Sequence, residues 1–215
     1  RDLVRSRGLG DVYKRQFFVL SGPSGSGKGT VLKEVLRKSD RIVYSVSATS
    51  RSPRAGEVDG INYYFKSREE FETLIKADAF IEYTETYGNY YGTLKSEVEK
   101  AIENGKNIIL EIDPVGARNV RAHYPDAVLM FLVAPDLEVL SSRLSGRGSE
   151  SAETFKIRHD AALSEMENAT LYDYVVVNDF VERAADDILA IIRAENLRTK
   201  NSIEILSRIK GGNKL

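Results

Sequence analysis

Between the apolar run Phe17 to Leu20 and an amphipathic stretch near 28 to 38 stands 22-GPSGSGKGT-30. Gly22 and Gly27 frame a turn from strand into helix, with Pro23, Ser24, Gly25 and Ser26 between them. Such a turn leaves backbone N–H groups unpaired at a helix N-terminus, where the helix dipole adds positive potential, so it cradles phosphates. Lys28 follows at the place from which its ammonium reaches the β- and γ-phosphates of a nucleoside triphosphate. The loop departs from G-x-x-x-x-G-K-[ST] at one position. Gly29 stands where a metal-binding hydroxyl is usual, and Thr30 comes one place later. The hydroxyl ligand for Mg²⁺ is therefore open, and Thr30 is a candidate phosphate contact instead.

Outward from the loop, apolar runs at 42–46, 108–112, 128–133 and 174–177 alternate with helical patterns. These lie near 94–104, 115–121, 136–144, 153–169 and 181–197. Alternation of this kind predicts βα units around a mostly parallel sheet, an α/β fold of the P-loop NTPase type. Runs such as Ile108-Ile109-Leu110, apolar without alternation, suit strands covered on both faces. Asp113 ends the last residues of that run and is a candidate metal ligand of the Walker B kind. It could equally cap the helix that starts near Pro114.

One region breaks the rhythm. Residues 47–93 are rich in Tyr, Gly, Arg and Thr, with short strand-like pieces around one helix that opens with the capping box Ser67-Arg68-Glu69-Glu70, and read as an inserted subdomain. The polar stretch SGRGSESAE at 145–153 reads as the start of a lid extending to about 165. Residues 1–16 carry scattered charge without periodicity and are expected to be a non-native or disordered extension. The catalytic domain is expected over 17–197, and the basic stretch 198–215, with Gly211 and Gly212, is expected to fray.

The 215 residues are 42% hydrophobic, enough for one ordinary core with small insertions. Lys plus Arg total 31 against 32 for Asp plus Glu, so no global basic field draws a nucleic-acid backbone. With no cysteine there are no disulfides, thiolate metal sites or thiol nucleophiles, which suits a reducing compartment. No apolar run approaches the roughly 20 residues needed to span a bilayer. The reading is a cytoplasmic protein with no nucleic-acid or membrane partner. His123 and His159 stand alone, and no Ser/His/Asp triad is apparent.

Five blocks in order, SVSATSRSPRAGEVDGINY, FIEYTETYGNYYGT, LEIDPVGA, RLSGRGSES and YDYVVVND, closely resemble the bacterial guanylate kinases over about 17–195. The resemblance implies transfer of the γ-phosphoryl group of ATP to GMP, and also to dGMP, with Mg²⁺. It implies that Gly22 through Thr30 bind ATP, with Asn178 near the adenine. It further implies that Arg51, Arg54, Tyr63 and Tyr91 hold the GMP phosphate, as two guanidinium forks and two phenols can. Glu82 and Glu111 would face the N1–H and N2–H₂ donors of guanine, with Ser47 and Thr93 at its polar edge. Arg143, Arg147 and Arg158 match lid residues that stabilise the transferring phosphoryl group beside Lys28 and Arg51. Two departures stand out: Pro114-Val115 in place of a Val-Gln pair, and His159-Asp160 where a leucine is common after the arginine. The rival readings are a kinase of ribose 1,5-bisphosphate on the same scaffold and a non-catalytic guanylate-kinase-like module that binds phosphopeptides.

Overall fold

The computed structural model describes residues 17–86, 88–145, 159–160, 162–201 and 203–210. The extension 1–16, Arg147, Arg158 and most of the lid expected at 145–165 lie outside these residues.

In chain order the strands are β1 (Phe17–Ser21), β2 (Ile42–Tyr44), β3 (Ala48–Thr49), β4 (Tyr64–Phe65), β5 (Phe80–Thr86), β6 (Asn89–Leu94), β7 (Asn107–Glu111), β8 (Val128–Val133) and β9 (Tyr174–Val177). The helices are α1 (Lys28–Lys38), α2 (Arg68–Lys76), α3 (Lys95–Glu103), α4 (Pro114–His123), α5 (Leu137–Ser145), α6 (Val181–Asn196) and α7 (Ile203–Lys210). Residues 159–160 and 162–166 are also helical and lead into a 3₁₀ turn, Glu167–Leu171.

The main sheet has the order β2-β7-β1-β8-β9, and every pairing in it is parallel. Its central strand shows why the unalternating apolar runs form it. Phe18 and Leu20 point into one cluster with Val31 and Val35 of α1 and Ala184 and Ile188 of α6. Val19 points the other way, among Val98 of α3, Ala117 and Val120 of α4, and Ile108 and Leu110 of β7. Strands covered on both faces cannot alternate apolar with polar residues. Sequence order reverses at β1, with β7 on one side and β8 on the other. In open parallel sheets the crevice at the carboxyl ends of such neighbours is where ligands bind.

A second sheet, β4-β3-β6-β5, is mixed, with β3 and β4 parallel and the other pairs antiparallel. It has its own small core of Ala48, Phe71 and Phe80, in which the Phe71 ring stacks on Phe80 at 4.5 Å and on Tyr90 at 5.2 Å. The capping box that opens α2 is complete: Glu70 N donates to Ser67 Oγ at 3.1 Å and Ser67 N to Glu70 Oε2 at 2.6 Å. Strand β5 lies against α4, so closely that a Cβ on Gly116 would stand 2.7 Å from Glu82 Oε2. This contact brings the second sheet to the carboxyl end of β7.

The chain does not simply fray from 198. A 3₁₀ turn spans Thr199–Asn201, Asn201 is buried, and its Nδ2 donates to Glu195 O at 2.8 Å before α7 begins. An amide that closes the end of α6 was not visible in a stretch read only for charge and glycine. Among the described residues no helix is long and apolar enough to cross a membrane.

Candidate active site

The phosphate loop runs from the end of β1 to the start of α1. Gly25 and Gly27 sit in the left-handed region at φ 85° and 91°, which a side chain rarely adopts. Gly27 is the N-cap of α1, so the first N–H groups of that helix face the loop's hollow. Lys28 Nζ donates back to Gly22 O at 2.7 Å and Pro23 O at 3.2 Å, which fixes the ammonium across the loop.

Two distant residues brace the same turn. Asn178, just after β9, donates from Nδ2 to Ser26 O at 2.7 Å. Arg143 on α5 donates from Nη2 to Asn178 O at 3.1 Å and from Nη1 to Ser26 O at 3.5 Å. Arg143 is thus anchored beside the phosphate loop, and Asn178, expected near an adenine, is placed with its amide against the loop's backbone.

The second set of residues converges on a cleft of about 350 Å³ lined by Lys28, Ser47, Tyr63, Glu82, Tyr91, Glu111 and Asp113, together with Thr84 and Thr86. Thr93 is fully buried behind it and donates to Glu82 Oε1 at 2.9 Å. Arg51 stands near Tyr63 and Tyr91, with its guanidinium carbon 5.5 Å from the Tyr63 ring centre and the two rings 6.1 Å apart. Arg54 lies on the exposed loop, joined to the group through its backbone N–H, which donates to Glu57 Oε2 at 2.7 Å.

Burial sets the electrostatics. Glu82 is 6% exposed, and burial, reinforced by nearby Asp113 and opposed by the Thr93 hydrogen bonds, pushes its carboxyl up to about 7. Burial also raises Glu111, against the opposing pull of Lys28. Both carboxyls therefore gain from N–H donors offered by a ligand, since such bonds favour the charged form. Asp113 is the N-cap of α4, accepting from Gly116 N at 2.7 Å through Oδ1. Its capping role is seen directly, and it lines the cleft as well.

Four residues take part that the sequence reading did not single out. Glu57 grips Arg51 with both oxygens, at 2.9 and 3.0 Å, and so fixes the plane of the guanidinium. The only signal for it was its place six residues beyond Arg51 in a glycine-bearing loop. Thr84 and Thr86 follow Glu82 at period two along FIEYTET, an alternation legible once that segment is read as a strand. Glu165 accepts a hydrogen bond from the Ser24 backbone; burial raises its carboxyl while Lys28 opposes the rise.

One cleft thus joins a phosphate loop to a buried acidic pocket with an arginine and two phenols at its side, and Lys28 belongs to both parts. The chain matches a family model described as guanylate kinase over residues 14–195. Guanylate kinase of Desulfitobacterium hafniense is 50% identical over 182 residues, 85% of this chain and 91% of the relative. Guanylate kinase of Halalkalibacterium halodurans is 49% identical over 191 residues, 89% of this chain and 94% of the relative. The crystal structure of guanylate kinase from Anaplasma phagocytophilum superposes with a TM-score of 0.75 at 31% identity, covering 93% of this chain and 95% of that one.

Proposed function

The chain belongs to the guanylate kinase family, and on that premise we propose that it transfers the γ-phosphoryl group of ATP to GMP, giving ADP and GDP. The observation that carries this reading is the sharing of one cleft by Lys28 of the phosphate loop and the buried Glu82. A triphosphate on the loop and a purine monophosphate in the pocket would meet at that lysine.

On the acceptor side, Arg51, Arg54, Tyr63 and Tyr91 would hold the GMP phosphate, with Glu57 keeping the Arg51 fork in plane. Glu82 and Glu111 would accept from guanine N1–H and N2–H₂, and Ser47 and Thr93 would complete the polar edge. A pocket built to satisfy those donors rejects adenine, because its own buried groups would go unpaired. On the donor side, Gly22 through Thr30 would wrap the triphosphate and Asn178 would hold the loop in shape. Lys28 and Arg143, joined by Arg147 and Arg158 from outside the described residues, would stabilise charge on the group in transfer.

A phosphate oxygen of GMP is the nucleophile. It attacks Pγ, a new O–P bond forms, and the bond to the β-bridging oxygen breaks to leave ADP. With a second pKa of about 6, the GMP phosphate is mostly dianionic at neutral pH, so no protein base is needed. The protein's part is positioning and charge neutralisation.

Mg²⁺ would arrive with the triphosphate. Among the described residues no cluster of three or more His, Cys, Asp or Glu could cage it, which suits an ion that keeps its waters and takes one or two carboxylates plus phosphate oxygens. Asp113 is a hard oxygen donor at the cleft with Oδ1 engaged in the cap, and its other oxygen would hold the ion or its water shell. Bound there, Mg²⁺ would neutralise charge on the phosphoryl oxygens.

We assign the catalytic domain to 17–197, with 47–93 as the GMP-binding insert, about 145–165 as the lid, 1–16 as an extension and 198–215 as a basic tail. The cytoplasm is where ATP and GMP are available to it, and dGMP fits the same base and phosphate grips. The test is ADP release with GMP, dGMP, AMP and ribose 1,5-bisphosphate as acceptors. GMP should be used at least 100-fold more efficiently than AMP. Turnover of the sugar phosphate without turnover of GMP would overturn the assignment.

A further inference from the structure

Strand β5 turns Glu82, Thr84 and Thr86 toward the cleft at period two, and the neighbouring strand β6 sets Thr93 opposite Glu82 and Tyr91 opposite Thr84. The rung that reads the base is therefore followed directly by the rung that carries a phosphate-holding tyrosine. Thr84 stands on that second rung, about 7 Å along the strand from Glu82.

Its hydroxyl differs from the one beside it. Thr93 Oγ1 is engaged by Glu82. Thr84 is only 9% exposed, its side chain lines the cleft, and its hydroxyl has no hydrogen-bond partner among the described residues. A largely buried strand position that needed only filling would suit valine, which has the same shape and no polar atom to desolvate. A hydroxyl without a protein partner, still reached by solvent on a residue otherwise buried at a ligand cleft, points to a bond made when the ligand is there.

We propose that Thr84 is a further specificity-determining residue, its hydroxyl hydrogen-bonding the nucleoside of GMP between the base edge held by Glu82 and the phosphate held by Arg51 and Tyr91. That stretch of the ligand is the sugar, whose hydroxyls both donate and accept, as a threonine hydroxyl does. The inference rests on the GMP reading of the cleft given above.

Calorimetric titration of GMP and dGMP into the wild-type protein, Thr84→Val and Thr84→Ser tests it, alongside thermal midpoints and KM for ATP. Thr84→Val should weaken GMP by roughly 3- to 10-fold, the usual effect of one lost hydrogen bond. Thr84→Ser should stay within about twofold, with the KM for ATP unmoved in both. A loss confined to GMP puts the bond on the 2′-hydroxyl, whereas an equal loss for dGMP puts it elsewhere on the nucleoside. Thr84→Val binding GMP as the wild type does would overturn the inference, the hydroxyl being merely solvated. Equal weakening by Val and Ser would overturn it too, since side-chain shape would then be responsible. Failure of the wild-type protein to bind GMP would show itself before any variant and would overturn the reading of the cleft instead.

Discussion

Glu82 is caught between folding and binding. Burial raises its carboxyl from the ordinary 4.5 to about 7, so the folded chain holds this proton more tightly than the unfolded chain. As pH climbs from about 4.5 to about 7 the unfolded chain loses the proton first, and the fold is destabilised across that window; above it the loss is complete. At about 1.4 kcal/mol per pKa unit the penalty reaches about 3 kcal/mol. Glu82→Gln should remove it, raising the thermal midpoint at pH 8 and leaving the midpoint near pH 4 almost unchanged. The same variant should bind GMP at least tenfold more weakly at pH 8, having lost a charged acceptor. Wild-type GMP affinity should rise between pH 6 and 8 more steeply than titration of the nucleotide phosphate explains, and Glu82→Gln should retain only the phosphate's share. Calorimetry and thermal melts at the stated pH values check all of this.

Among the elements, the turn into α1 is the least tolerant of change. Gly27 has φ 91°, and a Cβ there would stand 2.4 Å from Asn178 Nδ2. Gly27→Ala should therefore weaken ATP by at least tenfold while GMP binding stays within about twofold, as measured by separate titrations. This turn was plain in the sequence because glycine spacing and a lysine between strand and helix are local signals. The strands of the main sheet were plain for a similar reason, since β1, β7 and β8 are runs that only a doubly covered strand tolerates. The second sheet was legible as an interruption with short strand-like pieces, but its pairing was not. β3 and β4 are two residues long, and their pairing depends on partners more than 40 residues away or across a loop. Arg51, Tyr63 and Tyr91 were found by resemblance and meet in space. Glu57 and Glu165 escaped because a carboxylate in a polar loop or helix looks like solvated surface until its partner is known. Asn178 was found, but its hydrogen bond to Ser26 joins residues 152 apart and no local pattern carries it.

At the scale of the molecule, two sheets with separate cores meet where α4 runs past β5, and the ligands proposed for them converge on Lys28. A compound joining adenosine to guanosine 5′ to 5′ through a chain of phosphates should occupy both halves at once. Linking makes the second binding event intramolecular, so it should bind at least 100-fold more tightly than GMP alone. A chain one phosphate too short should lose most of that gain, and competition titrations with a series of lengths would measure the span between the two grips. The brace between Asn178 and Ser26 carries a consequence for synthesis. The loop leaves the ribosome some 150 residues ahead of the asparagine behind β9, an interval of roughly 8 to 30 s at about 5–20 residues per second. A nascent chain carries the glycines and the lysine throughout that interval without the clasp that shapes them, so competence to hold ATP waits until β9 has emerged and folded.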